Sequence, residues 1–406
     1  MHRLVVDIFC HCKCVLTFVF MCLYSAAIFS AGNVDKGIPA LNGKFYPTLR
    51  SKVLFTDNVL LQDKNPKESI LIVTTPRLKY NFESNITQFS MDMGIEQGYY
   101  THSHGDNYLD ADTKAKFSVY PTSRLSFFGA AGYRRFHEVR GSGSQSGNRA
   151  TEFESPDKYR LWDVQLGFKY GVAKVGMPRF ETAYYHLERR YSNNRRRTRI
   201  QDRNGDAVRS TLFYQILPNT SLLIQGNLMR LSYKKGFAPG DLDSKQYSVL
   251  GGLTWQATYQ TTGYFKVGWN QKFFDASARG GSSNLSWEIG VDWFPLTYST
   301  VGLVTSQRLQ EADGIGNAAN VRNFKLSWTH NWGWNISTTT NLIYINSNYS
   351  GNSREDNDLG GGFSIDYSFR RWLSVGVNYT YLLRSSTGSN LDYQRNVAGI
   401  HMVLSL

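Results

Sequence analysis

The sequence predicts an all-β chain: a transmembrane antiparallel β-barrel of about 18 strands, with short turns at one end and long loops at the other. Three observations carry this reading. Apolar and polar residues alternate almost everywhere after residue 45, the period of a half-buried strand. The alternating segments run to about 13–17 residues, against roughly 5–6 in soluble sheets. Their apolar faces end in aromatics, as do the girdles of a barrel at a bilayer interface.

Individual segments show the pattern. In "LWDVQLGFKYG", Trp162, Val164, Leu166, Phe168 and Tyr170 share one face, and Asp163, Gln165, Gly167 and Lys169 share the other. "YFKVGWNQK", "LSWEIGVDWFP" and "FSIDYSFR" repeat the arrangement around Trp269, Trp287 and Phe363. A soluble β-sandwich also alternates, but it does not need strands this long or polar faces carrying opposed charges. The composition agrees with a sheet rich in turns: 25 Tyr, 24 Phe, 9 Trp and 36 Gly in 406 residues.

Connections alternate in length. Tight ones fall near 81–87, 120–124, 171–177, 217–221, 259–263, 294–297, 332–335 and 369–372. Longer polar ones fall near 57–69, 101–107, 139–156, 191–207, 234–244, 275–284, 310–320, 348–358 and 385–391. Eight short and nine long connections join eighteen strands and leave both chain ends on the short-turn, periplasmic side. The first strand, around "PTLRSKVLFTDN", has the weakest pattern. The last, "AGIHMVLSL", ends on Leu406, where an assembly signal for the barrel-insertion machinery usually carries an aromatic.

The first thirty residues differ from the rest. Arg3 and Lys13 precede an apolar run with small residues at Ser25 and Ala27, the layout of a secretory signal peptide. The expected division is signal peptide 1–27, a short periplasmic segment 28–45 and a barrel over 46–406; a transmembrane anchor is the alternative for the first segment. All four cysteines (Cys10, Cys12, Cys14, Cys22) lie in that leader, so a mature chain has no disulfide or Cys-based metal site. No later apolar run approaches the roughly 20 residues of a helical span.

The chain is basic, with 45 Lys+Arg against 32 Asp+Glu and a net charge of +13. By alternation Lys114, Lys116, Lys169, Lys266, Lys272, Lys325 and Arg370 face the lumen, together with Asp163, Glu288, Asp292 and Asp366. These line a wet, mildly basic path in a barrel wide enough for an aqueous channel. Few aromatics read as inward-facing (Phe213 is one), which argues against a sugar slide. The densest charge is "LERRYSNNRRRTRIQDRNG", with Arg189 and Arg190 at the base of an outer loop that carries Arg195, Arg196, Arg197, Arg199 and Arg203, and Arg209 beyond it. A run this basic ordinarily suggests nucleic acid, which an exported barrel does not meet. Contact with lipopolysaccharide phosphates and guidance of an acidic polymer remain. The loop at 139–156 and the arginine loop are the candidates for folding inward to narrow the pore.

No enzyme is expected. G-x-S-x-G, H-E-x-x-H and the phosphate-binding G-x-x-x-x-G-K are absent. His102, His104 and Asp106 in "THSHGDN" are read as solvated loop residues rather than metal ligands, and no cofactor is expected. The six N-x-S/T sequons reflect the polar residues of turns and faces.

At "VLFTDNVLL…ESILIVTTPRLKYNF", Asp57, Asn58 and Val59 followed by Ile70, Val73, Pro76 and Leu78 resemble the opening of a bacterial barrel family called putative beta-barrel porin type 2. Thr56 stands where that family usually has a second acidic residue. The resemblance implies an outer-membrane exit for an exopolysaccharide or capsular polysaccharide. It also implies a periplasmic polysaccharide-export partner and synthesis driven from the inner membrane. The alternatives are a general or sugar-selective uptake porin and a non-channel adhesin or assembly barrel.

Overall fold

The computed structural model describes residues 37–234, 242–258, 260–312 and 316–405. The expected leader and Leu406 lie outside them.

A three-residue strand, β1 (Ile38–Ala40), precedes the wall, which runs β2 (Gly43–Thr56), β3 (Ser69–Glu83), β4 (Thr87–Tyr100), β5 (Tyr108–Val119), β6 (Leu125–His137), β7 (Lys158–Gly171), β8 (Pro178–Tyr191) and β9 (Arg203–Leu217). It continues through β10 (Thr220–Tyr233), β11 (Ser244–Thr258), β12 (Thr261–Phe274), β13 (Ser282–Leu296), β14 (Ser299–Glu311) and β15 (Ala318–Gly333). The last four are β16 (Ile336–Ser350), β17 (Glu355–Arg370), β18 (Leu373–Ser386) and β19 (Tyr393–Ser405).

Each of the eighteen wall strands pairs antiparallel with its sequence neighbour. β19 returns to β2, from Val397 opposite Thr56 down to Ser405 opposite Thr48. Closure leaves no free strand edge where the bilayer offers no hydrogen-bond partner; the β3–β4 ladder is interrupted at Thr75 and Pro76, where proline has no N–H to donate. The wall begins at Gly43 rather than residue 46. β1 folds back on Phe45, Lys44 and Gly43, so it covers the part of β2 that extends below the end of β19.

The connections fall where the alternation predicts, but not every outer one is long. The expected 348–358 loop shrinks to 351–354 because β16 and β17 extend further, leaving fewer residues than the periplasmic turn at 172–177. Two tight hairpins hold both central residues in left-handed backbone, Leu41 and Asn42 (φ 51° and 60°) and Trp334 and Asn335 (φ 47° and 61°); asparagine adopts it readily, whereas leucine and tryptophan do so at a cost. As a set, the short turns mark the periplasmic end and the long loops the outer end.

The conventional core of the molecule is small. Val59 and Leu60 from the 57–68 loop and Ala150 from the 138–157 loop pack on Leu71, Val73 and Tyr100 of β3 and β4. Those wall residues face inward, so the two loops sit inside the upper barrel, four residues below the start of β3 at Val73.

Candidate functional site: the lumen and its mouth

Exposure of the large apolar side chains fixes which face of each strand meets lipid. On β7, Trp162 and Tyr170 are each 56% exposed and Leu166 is 51% exposed, so Asp163, Gln165 and Lys169 point into the barrel. The same alternation turns Phe265, Val267 and Trp269 outward on β12, and Lys266, Asn270 and Lys272 inward.

The sequence-predicted lumen residues face inward, but most are not free charges. Asp163 sits between Lys114 (3.0 Å) and Arg134 (2.6 Å). Lys169 pairs with Glu181 at 2.9 Å, Lys266 with Glu288 at 2.8 Å, and Asp366 bonds to His401 at 2.6 Å. Lys272 is wholly buried against Glu311, which also accepts from Tyr233 at 2.6 Å. Lys272 therefore braces the wall near the outer mouth instead of lining the path. Lys116, Asp292, Lys325 and Arg370 make no ion pair among the described residues.

The larger correction concerns aromatics. The lumen is not poor in them. On β6–β12 they line one wall, each beneath a cation. Arg179 lies 4.5 Å from the Phe213 ring centre, Arg209 5.6 Å from Tyr185, and Arg189 4.1 Å from Tyr159 and 4.9 Å from Tyr191. Lys169 lies 5.2 Å from Phe128, Lys266 5.3 Å from Tyr264 and Arg203 5.8 Å from Tyr233. Arg179 and Arg189 stand ten residues apart on β8, about 33 Å along the strand. At the outer end Arg189 and Tyr191 are covered by the 138–157 loop, whose Glu138 pairs with both, so the open part of this track is the lower one, at Arg179 with Phe213 and Arg209 with Tyr185. The sequence signal was present in "RFETAYYHLERRY", where Arg179, Glu181, Ala183, Tyr185, Leu187 and Arg189 share one face. It was masked because Phe180 and Tyr184 give the opposite face aromatics as well.

The 138–157 loop ties the mouth together. Its Arg140 forks onto Asp106 (2.8 and 2.6 Å) in the 101–107 loop, and both partners are nearly buried. Asp106 is thus a structural anchor and not a solvated residue; His102 and His104 remain exposed. Asp157 receives Gln145 at 2.8 Å and Asn194 of the arginine loop at 2.6 Å. Gly141, at φ +92°, lies so close to the Leu60 carbonyl that a Cβ would come within 1.9 Å of it, so only glycine lets the two loops approach. Buried, hydrogen-bonded and ion-paired, this loop is a fixed constriction of the upper lumen.

The arginine loop is shorter than expected, 192–202, and holds a one-turn helix, α1 (Arg195–Thr198). Arg195 forks onto Asp202, whose hydrogen bond pushes that guanidinium further above its ordinary range. Arg197 reaches Glu152 at 3.2 Å and covers Phe153, joining this loop to 138–157. Arg196 and Arg199 carry the loop's remaining charge. Arg203, expected in the loop, is instead the first residue of β9, where alternation directs it inward with Arg189 opposite it in register.

A closed eighteen-stranded wall with a polar interior, an apolar exterior and a loop folded into its mouth defines an outer-membrane, porin-like channel. The chain belongs to the family described as Putative beta-barrel porin 2, which matches residues 37–406. No curated protein matches. Among solved structures, the chain is similar to the FrpB iron transporter of Neisseria meningitidis at 10% identity and a TM-score of 0.47, with 87% of this chain and 63% of that one covered. The chain therefore spans less than two thirds of that transporter's length. OccAB4 of Acinetobacter baumannii gives 9% identity and a TM-score of 0.47, covering 89% of this chain and 98% of that one. OccK2 (OpdF) of Pseudomonas aeruginosa, solved in complex with glucuronate, gives 12% identity and 0.47, covering 90% and 98%.

Proposed function

We propose that this barrel is a passive conduit for an acidic saccharide, with an exported exopolysaccharide or capsular polymer as cargo. One observation carries the reading: the guanidinium and aromatic groups set side by side on β8 and β9, Arg179 with Phe213 and Arg209 with Tyr185. A pyranose ring offers C–H faces that stack on aromatics, and a uronate offers a carboxylate that a guanidinium forks onto. Having the two side by side at successive heights gives an acidic sugar chain a new foothold before it leaves the last. As a passive conduit the barrel would take its driving force from synthesis and pushing at the inner membrane. A periplasmic export partner would dock on the short turns, where Trp334 stands 90% exposed at a hairpin tip. The outer arginines would meet lipopolysaccharide, and the barrel-assembly machinery would insert the chain.

The folded-in 138–157 loop favours a second reading, an uptake porin for small acidic sugars, because a fixed constriction suits a small solute better than a polymer. The test is a strain lacking the gene, with acidic polysaccharide measured in the medium and the periplasm. Loss from the surface with periplasmic accumulation, restored by a complementing copy, is expected for export. Unchanged polymer with slower uptake of a small uronate would establish the uptake reading instead.

A further inference from the structure

The outer surface of the wall carries a feature that the passage of cargo does not use, and it deepens the lipopolysaccharide contact proposed above by giving it a site on the wall itself rather than on the arginine loop. Arg135 on β6 stands opposite Arg160 on β7, and Arg160 stands opposite Arg190 on β8, so three arginines share one register row on adjacent strands. The row lies on the lipid-facing side, because Arg160 shares its face with Trp162 and Leu166, which are exposed outward. Like charges directly opposite across a sheet are destabilising. Internal compensation reaches only one end of this row: Arg190 pairs with Glu188 at 2.8 Å and donates to the Arg203 carbonyl at 2.8 Å. Arg135 and Arg160 are exposed and make no ion pair among the described residues.

The height of the row identifies its counter-ion. One step below, Trp162 packs on Tyr133 with ring centres 4.4 Å apart. From Trp162 to Tyr170 the outward face of β7 is apolar and ends in an aromatic at each side, the span of a bilayer core with its girdles. On β7 the arginine therefore begins where the apolar band ends, at the level of outer-leaflet headgroups, and on β8 the polar margin is deeper, with Glu188 and His186 between Arg190 and the outward-facing Tyr184. We propose that this row binds the phosphates of a phosphorylated glycolipid of the outer leaflet. Two neighbouring guanidinium forks, one strand spacing or about 4.8 Å apart, suit a phosphate that accepts from both. The lipid would relieve the repulsion within the row and hold the barrel in the leaflet from outside, independently of what passes through the lumen.

The experiment uses the full barrel in detergent, with native mass spectrometry and a fluorescent-lipid titration. The probes are bisphosphorylated lipid A, the same lipid with its phosphates removed, and inorganic phosphate as competitor. Wild type should hold the phosphorylated lipid roughly tenfold more tightly than the dephosphorylated one. Arg135→Gln with Arg160→Gln should abolish that ratio, while Arg135→Lys with Arg160→Lys retains part of it. Heat-modifiable migration on gels confirms that each variant is folded. A ratio near one in wild type, a ratio unchanged in the folded glutamine variant, or displacement of the lipid by millimolar inorganic phosphate would each overturn the proposal. The last outcome would make the row a site for soluble anions.

Discussion

The wall formed by β7–β9 and the wall formed by β16–β18 lie half a circumference apart and solve the same structural problem differently. Both alternate, and both turn aromatics to lipid: Trp162 and Tyr184 on one, Tyr344 and Phe363 on the other. Inside they diverge. The first presents Lys169, Arg179, Arg189, Arg203 and Arg209 against Asp163 and Glu181. The second is uncharged through its middle, at Asn341, Ile343, Gly360, Gly362, Asn378 and Thr380, and nearer its ends carries Asp356, Asp358 and Asp366 together with Arg370 and Arg384. Folding dictates only the lipid face; the lumen face is free to be specialised wall by wall. An eighteen-stranded barrel is roughly 35 Å across between backbones, several times the ~8 Å Debye length at physiological salt. The two walls therefore act on a passing ion separately, and a cargo binds to one of them.

The largest effect should come from removing the charge asymmetry. Arg179 and Arg209 have no carboxylate partner among the described residues, so Arg179→Gln with Arg209→Gln leaves no carboxylate orphaned. In planar bilayers the wild-type channel should prefer anions, and the double variant should lose roughly three- to tenfold in its anion-to-cation permeability ratio. Asp358→Asn on the facing wall should raise anion preference, by less than twofold, because Arg384 already neutralises it at 2.6 Å. Equal effects from the two walls would end the comparison.

Ionic strength gives the next largest change. Raising salt from 0.1 to 1 M shortens the Debye length from about 10 Å to about 3 Å. Wild-type anion preference should fall towards unity over that range, measured as reversal potential in a fixed salt gradient. Preference that persists at 1 M would locate the selectivity at the 138–157 constriction, where charges are too close to be screened.

How much of this was legible in the sequence follows from the same contrast. Strand number, turn positions and lipid faces were readable because the bilayer imposes a strict period of two. Arg179 and Tyr185 were missed, and Arg189 was read only as the base of the arginine loop, because a wet wall tolerates aromatic and charged side chains alike, so on β8 both faces carry tyrosines and the period blurs. The inward loop was foreseen only as a candidate. Its anchors, Arg140 to Asp106 and Gln145 to Asp157, join segments 34 and 12 residues apart, and no local pattern marks such pairings. Arg203 was placed in the loop because a run of arginines looks continuous in sequence although the backbone has already re-entered the sheet.

Separating stacking from charge sharpens the comparison further. Tyr185→Ala with Phe213→Ala removes the rings and leaves Arg209 and Arg179 in place. Anion preference should change little. Block of single-channel current by a uronate oligomer should shorten by roughly five- to tenfold, in line with about 0.5–1.5 kcal/mol per lost aromatic contact. Shortened block with intact selectivity would show that rings hold the sugar and guanidiniums select its charge.

The smallest effect belongs to the facing wall. Ile343→Thr with Leu382→Thr alters the two inward apolar side chains that flank Gly360 in register. A saccharide held by β7–β9 lies more than a Debye length from them, so uronate block times should stay within twofold of wild type and conductance should be unchanged. The double substitution removes little buried area from a wall stabilised by its ladders, so heat-modifiable migration should also be unaffected. A severalfold change in block would mean that the cargo bridges both walls. That would in turn require the 138–157 loop to squeeze the path far more tightly than the barrel's diameter implies, and would favour the uptake reading for a small solute over passage of a polymer.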